Sequence, residues 1–288
     1  MRTSSATAAS SVSPDVDTRP GGDDDAREPR GLDTSVAHIA RMQNYWRGGK
    51  DHFVADRRAA EHAMAAYPGL AASVRANQAF LGRSVRYLAG TAGIRQFLDI
   101  GTGLPAAGSA HEIAQAVAPE CRVVYVDNDP MVLAHARALL TGIEPGTTAY
   151  LDADLRDTSA LLEQAAAELD FSRPVGILLI SVLHMIEDRE DPQAIVGTLL
   201  DAVAPGSFLV LTHVASDLEP EAMAEMARRV NQHVAKPTTP RDYATVSRFF
   251  GTLELVPPGL VRVPEWRPES AGASATASTQ WGGAGRKR

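Results

Sequence analysis

The chain has 288 residues and a formal net charge of −7, from 28 Lys and Arg against 35 Asp and Glu. An acidic body lacks the basic stripe that tracks a phosphate backbone, so nucleic acid is not expected as a partner. A single cysteine, Cys121, excludes an intrachain disulfide. The first residues hold no signal-peptide core, and the longest apolar run, Val175 to Ile186, falls short of the roughly 20 residues that span a bilayer. A cytoplasmic protein without membrane contact is expected.

Residues 1–33 mix Ser, Ala, Asp, Pro and Gly with few large apolar side chains, and read as a disordered tail. Residues 34–92 carry only helix signals and read as an N-terminal helical cover. Thr34 or Ser35 can cap a helix running to about Trp46, with Val36, Ile39 and Ala40 at helical spacing, and a glycine pair stops it. A second helix spans Asp56 to Ala66. In a third, Leu70, Val74, Leu81, Val85 and Leu88 form a stripe at three- and four-residue steps. Asn77 interrupts that stripe, either as a core amide that satisfies a loop carbonyl or as a ligand contact.

Over residues 93–268 two kinds of segment alternate. Strand-like runs at Gln96–Ile100, Val123–Asp127, Thr147–Leu151, Val175–Ser181 and Phe208–His213 are separated by helical stretches at Ser109–Val117, Pro130–Leu140, Ser159–Leu169 and Gln193–Val203. Such alternation calls for right-handed crossovers and a parallel sheet covered on both faces. Helices at Glu221–Val234 and Tyr243–Phe250 follow, then Leu253–Val256 and Leu260–Val263 as an antiparallel edge. The expected fold is α/β: a Rossmann-like, doubly wound, mostly parallel seven-stranded sheet. Residues 269–288 read as a second disordered tail, in which Trp281 has no apolar neighbours in sequence.

The chemistry gathers at strand ends. The first strand runs into Asp99-Ile100-Gly101-Thr102-Gly103, a turn whose glycines let the backbone bend sharply and a ligand approach it. The second ends in Asp127-Asn128, and an acid there can accept both ribose hydroxyls of an adenosine at the switch point of the sheet. The third is followed by Asp154 and Leu155, a carboxylate and an apolar side chain suited to an adenine amino group and ring face. Ser181 closes the fourth strand. Nicotinamide enzymes share the glycine turn and the second-strand acid, but they do not usually combine Asp before the glycines with an Ala-Asp-Leu loop. The balance favours S-adenosylmethionine as cofactor. No residues cluster as metal ligands.

The segments IRQFLDIGTGLPAAGSAHEIAQAVAPECRVVYVDND at Ile94 to Asp129, Ala153 to Asp157, Leu178 to His184 and YWRGGKDHF at Tyr45 to Phe53 resemble an actinobacterial S-adenosylmethionine-dependent methyltransferase family, first catalogued as a domain of unknown function. The likeness spans about Thr34 to Pro268 and departs from the pattern at Trp46, Arg47, His52 and Gln78. It implies a methyltransferase fold and cofactor and does not name the acceptor, for which a small molecule is the leading expectation. It also implies that Gly49, Lys50 and Asp51 form a lid over the methionine end of the cofactor. Asn77 is counted with the cofactor contacts.

Methyl transfer from a sulfonium is an in-line displacement, so a base is needed only if the acceptor must lose a proton. Candidates are His184 after the fourth strand, His213 after the fifth and Tyr45 from the cover. Two alternatives stay open: an NAD(P)-dependent oxidoreductase, and a non-catalytic S-adenosylmethionine-binding regulator. Oligomeric state is not legible.

Overall fold

The structure, a computed structural model, describes residues 33–139, 145–270 and 278–288; the expected tail at 1–33 lies almost wholly outside the described residues. Helices α1 (Ile39–Trp46), α2 (Val54–Ala66) and α3 (Leu70–Arg86) precede the sheet. Then β1 (Gln96–Ile100), α4 (Ala110–Val117), β2 (Arg122–Asp127), α5 (Pro130–Leu139), β3 (Thr147–Asp152), α6 (Thr158–Ala165), β4 (Gly176–Ile180), α7 (Pro192–Ala202) and β5 (Phe208–Val214) alternate as the sequence indicates. They are followed by α8 (Pro220–Asn231), α9 (Tyr243–Arg248), the two-residue strands β6 (Glu254–Leu255) and β7 (Val261–Arg262), and β8 (Gln280–Arg286).

The sheet order is β3-β2-β1-β4-β5-β8-β6, with β7 also paired to β8. Strands β1 to β5 are parallel, while β8 runs antiparallel to β5. β1 lies at the centre with all five residues buried, as expected of a parallel strand covered on both faces. Leu98 and Ile100 pack towards α6 and α7 through Leu161, Ile195 and Leu199. Phe97 packs the other way, against Phe80 and Val85 of α3 and Ala114 of α4. Helix starts are set locally: the carboxylates of Asp157, Asp191 and Asp242 accept the amides of Ala160, Ala194 and Thr245.

Two features depart from the sequence reading. First, α3 is not only cover, because its C-terminal half is a layer of the main core. The cover proper is α1, α2 and the start of α3, which bury Met42, Trp46, Ala60 and Val74 against Met223, Met226 and Val230 of α8. Second, the segment read as a C-terminal tail supplies β8, which bonds β5 along seven consecutive residue pairs. Its glycines are there for close approach. A Cβ at Gly282 would lie 2.7 Å from Val263 Cγ1, and one at Gly285 2.9 Å from Leu253 Cβ. Trp281 donates its indole N–H to Asp217 Oδ1 at 2.8 Å and meets Tyr243 edge-on. Its partners come from α9 and the loop after β5, so nothing near it in sequence announced them.

Candidate functional site

β1 ends in a bend that only glycine tolerates. Gly101 has φ +71°, and a Cβ there would sit 2.4 Å from Val182 Cγ2. Gly103 has φ +65° and only Ala40 Cβ, at 3.9 Å, in front of it. A side chain at Gly103 would therefore fill the space between the bend and α1.

Asp127 at the tip of β2 fixes that bend. Its Oδ2 accepts the Gly103 amide at 2.9 Å and its Oδ1 the Asp129 amide at 3.0 Å. Burial pushes its carboxyl above the ordinary range, and these two amides oppose the rise. Asp154 after β3 behaves differently. It is buried enough to favour the neutral acid, yet the Arg156 amide, the Asn128 side chain, Lys236 and the Arg156 guanidinium outweigh that and hold it down to about 2. The Asn128 amide donates to Asp154 Oδ2 at 2.8 Å, and Lys236 Nζ reaches the same oxygen at 3.3 Å.

These groups line one cavity of about 300 Å³, together with Gly101, Gly103, Leu155 and Ser181, a volume at the lower end of ligand pockets. Its other walls come from residues the sequence did not single out. Val182, Met185 and Ile186 line it after β4; Ala37 to Ala40 and Gln43 close it from the start of α1; Val234 to Lys236 close it from behind α8. A β-bridge between Ala37 and Val234 ties the last two together. His38 also lines it, with Nδ1 2.9 Å from Asp129 Oδ2. Hydrophobic spacing placed α1, but not which of its residues would face a ligand.

Several expected site residues lie elsewhere. Asp99 is not on the cavity wall; it sits buried in register with Tyr125 and Leu178, where burial and then the Asp127 charge push it up to about 7. Thr102 is not on the cavity wall; its hydroxyl donates to the Gly103 carbonyl at 3.3 Å. Asn77 stands one shell back. Its Nδ2 donates to Ser181 Oγ at 2.9 Å, and Ser181 Oγ donates onward to Gln280 Oε1 at 2.9 Å, so the amide serves β4 and β8 rather than a loop carbonyl. Ser181 itself has φ +53°, a costly conformation for a residue with a Cβ.

The Gly49–Asp51 loop does not line the cavity either. Gly49 packs on Asn44, whose Oδ1 accepts the Asp51 amide at 3.0 Å, and Asp51 lies 3.6 Å from His135 Nε2. Lys50 is exposed. The cavity is walled on that side by the start of α1 and by the strap after α8, residues 234–236. Tyr45 is turned outward, donating to Glu61 Oε1 at 2.9 Å. Both candidate histidines are buried away from the cavity. His184 is held near 4 by burial and then by Arg241. His213 Nδ1 donates to the Val214 carbonyl at 2.8 Å while Nε2 accepts from Arg241 at 3.0 Å, and burial keeps it neutral. A strand-end position marked both histidines, but the turn after β4 folds its imidazole inward and His213 stacks on Phe249.

A family model described as S-adenosyl methyltransferase matches residues 25–288. A DUF574 family protein from Streptomyces avermitilis is 40% identical, with a TM-score of 0.86 over 88% of this chain and 99% of its own. A candidate methyltransferase from Thermobifida fusca is 42% identical, with a TM-score of 0.84 over 91% of this chain and 99% of its own. No curated protein matches. Among the described residues, no helix is long and apolar enough to cross a membrane.

Proposed function

Because the chain belongs to the S-adenosyl methyltransferase family and is an S-adenosylmethionine-dependent methyltransferase, we propose that it methylates a small-molecule acceptor inside the covered cavity, with Asp127 and Asp154 as the cofactor's polar anchors. The observation that carries this reading is the convergence of Gly103, Asp127, Asp154 and Leu155 on one cavity under α1. The family match, rather than this geometry, sets the nicotinamide alternative aside.

The residues fit the cofactor. The space a Gly103 side chain would take is open, Asp127 keeps lone pairs free beyond its two amide bonds, and Asp154 stays anionic. In this reading Asp127 receives the ribose hydroxyls, while Asp154 and Leu155 hold the adenine. S-adenosylmethionine supplies an electrophilic methyl on a sulfonium. The chain supplies position: Val182, Met185 and Ile186 form an apolar wall that keeps water from the reacting centre, and the strap with α1 closes over it. Neither His184 nor His213 moves a proton, because neither reaches the cavity. The acceptor therefore enters as a nucleophile that needs no base from those residues, and the small cavity and the net charge of −7 favour a small molecule over a nucleic acid.

The test is a screen of phenols, amines, thiols and heterocycles with purified protein and methyl-labelled S-adenosylmethionine, reading S-adenosylhomocysteine release. Turnover of one chemical class is the expected result. Tight cofactor binding without turnover of any small molecule would favour the non-catalytic regulator.

A further inference from the structure

The cavity wall after β4 is carried by a 3-10 turn, Leu183–Met185, with Ile186 following, and its carbonyls are bonded from outside. Four successive carbonyls are captured: Leu183 by Arg241 Nη1 at 3.0 Å, His184 by the Thr239 amide at 2.7 Å, Met185 by Arg156 Nη2 at 2.7 Å, and Ile186 by Arg241 Nη2 at 2.7 Å. Arg241 is 4% exposed, and each of its five N–H groups is used. Beyond the two carbonyls, Nε and Nη2 reach Asp188 Oδ1 at 3.0 and 2.8 Å, and Nη1 reaches His213 Nε2. The Arg241 amide is in turn fixed to the Val214 carbonyl at 3.1 Å. A planar fork so saturated holds its acceptors in one geometry, and lysine cannot reproduce it.

The placement has little slack. Val182, at the head of the turn, packs so closely on the β1 bend that a Gly101 Cβ would overlap it. Movement of the turn is therefore transmitted to the glycines. We propose that Arg241 is a positioning residue for methyl transfer: by clamping the Leu183–Ile186 turn from behind, it sets where Val182, Met185 and Ile186 stand against the bound cofactor. This rests on the proposed function for the identity of the ligand. Arg156 shares the task from the nucleoside side, since it holds the Met185 carbonyl and also Asp154 Oδ1, at 3.2 Å.

The test uses the full chain and the variants Arg241→Met, Arg241→Lys and Asp188→Asn. S-adenosylhomocysteine binding is measured by calorimetry well below each unfolding temperature, and amide exchange of residues 183–187 is measured without ligand. Arg241→Met is expected to weaken binding about tenfold or more and to accelerate exchange in the turn, the scale of losing charge-assisted hydrogen bonds. Arg241→Lys should recover part of both. Should Arg241→Met not fold, Asp188→Asn decides: its carboxylate is mostly exposed, and a loss of about two- to threefold in the same direction is expected. Folded variants with lower unfolding temperature but wild-type affinity and wild-type exchange would overturn the proposal. If the wild-type chain itself failed to bind, the proposed function would fall, and the exchange measurement would still decide the clamp.

Discussion

Asp127 accepts the Gly103 amide at 2.9 Å, so the acid at the tip of β2 shapes the bend at the end of β1. The carboxylate proposed to hold the ribose and the glycine turn are thus one unit. Altering either perturbs the other, and binding measurements on this pair need a folding control.

Gly101→Ala tests the bend. The residue holds φ +71°, and its new methyl would overlap Val182. We expect a loss of about 2 kcal/mol or more in stability together with loss of cofactor affinity, read by chemical denaturation and calorimetry. Wild-type values for both would show that the bend yields freely.

Asp99 gives a pH test. Its folded carboxyl is raised to about 7 from 3.8, so it favours folding fully below its unfolded value and loses that contribution as pH rises through 7. Asp99→Asn should therefore gain stability over wild type progressively between about pH 4 and 7, by a few kcal/mol at roughly 1.4 kcal/mol per unit. A difference that did not change with pH would contradict the buried acid.

The sign reverses for His184. Its folded value is lowered to about 4 from 6.5, so its contribution is present above 6.5 and is lost as pH falls towards 4. His184→Gln should shrink that acid-side loss and leave S-adenosylhomocysteine affinity within about twofold, because the imidazole does not touch the cavity. A large affinity loss with stability unchanged would return His184 to the site.

Removal of residues 279–288 should abolish cooperative unfolding. It strips β5, β6 and β7 of their shared partner, leaving buried backbone groups unpaired at about 1–3 kcal/mol each. Persistence of a cooperative transition in circular dichroism would mean that the sheet closes without β8.

That strand also marks where the sequence stops being readable. Long apolar runs alternating with amphipathic stretches announced β1 to β5 and their helices, because burial on both faces leaves a local signature. β8 left none: Trp-Gly-Gly-Ala-Gly looks like a linker until Val263, Phe250 and Leu253 are brought against it. The site divides in the same way. Gly101, Gly103, Asp127, Asn128, Asp154 and Leu155, which line the cavity, are legible because strand ends and glycine bends follow from topology. Ile39, Gln43 and Lys236 were missed because a cover's contact face depends on docking. His184, His213 and Tyr45 looked catalytic by position, and packing turned them inward or outward.

The most direct measurement is calorimetric titration of S-adenosylhomocysteine into the wild-type chain and into Asp127→Ala, with folding of the variant checked by circular dichroism. One site per chain is expected, weakened in the variant by about 1–3 kcal/mol. No binding by the wild type, or equal binding by a folded Asp127→Ala, would contradict it.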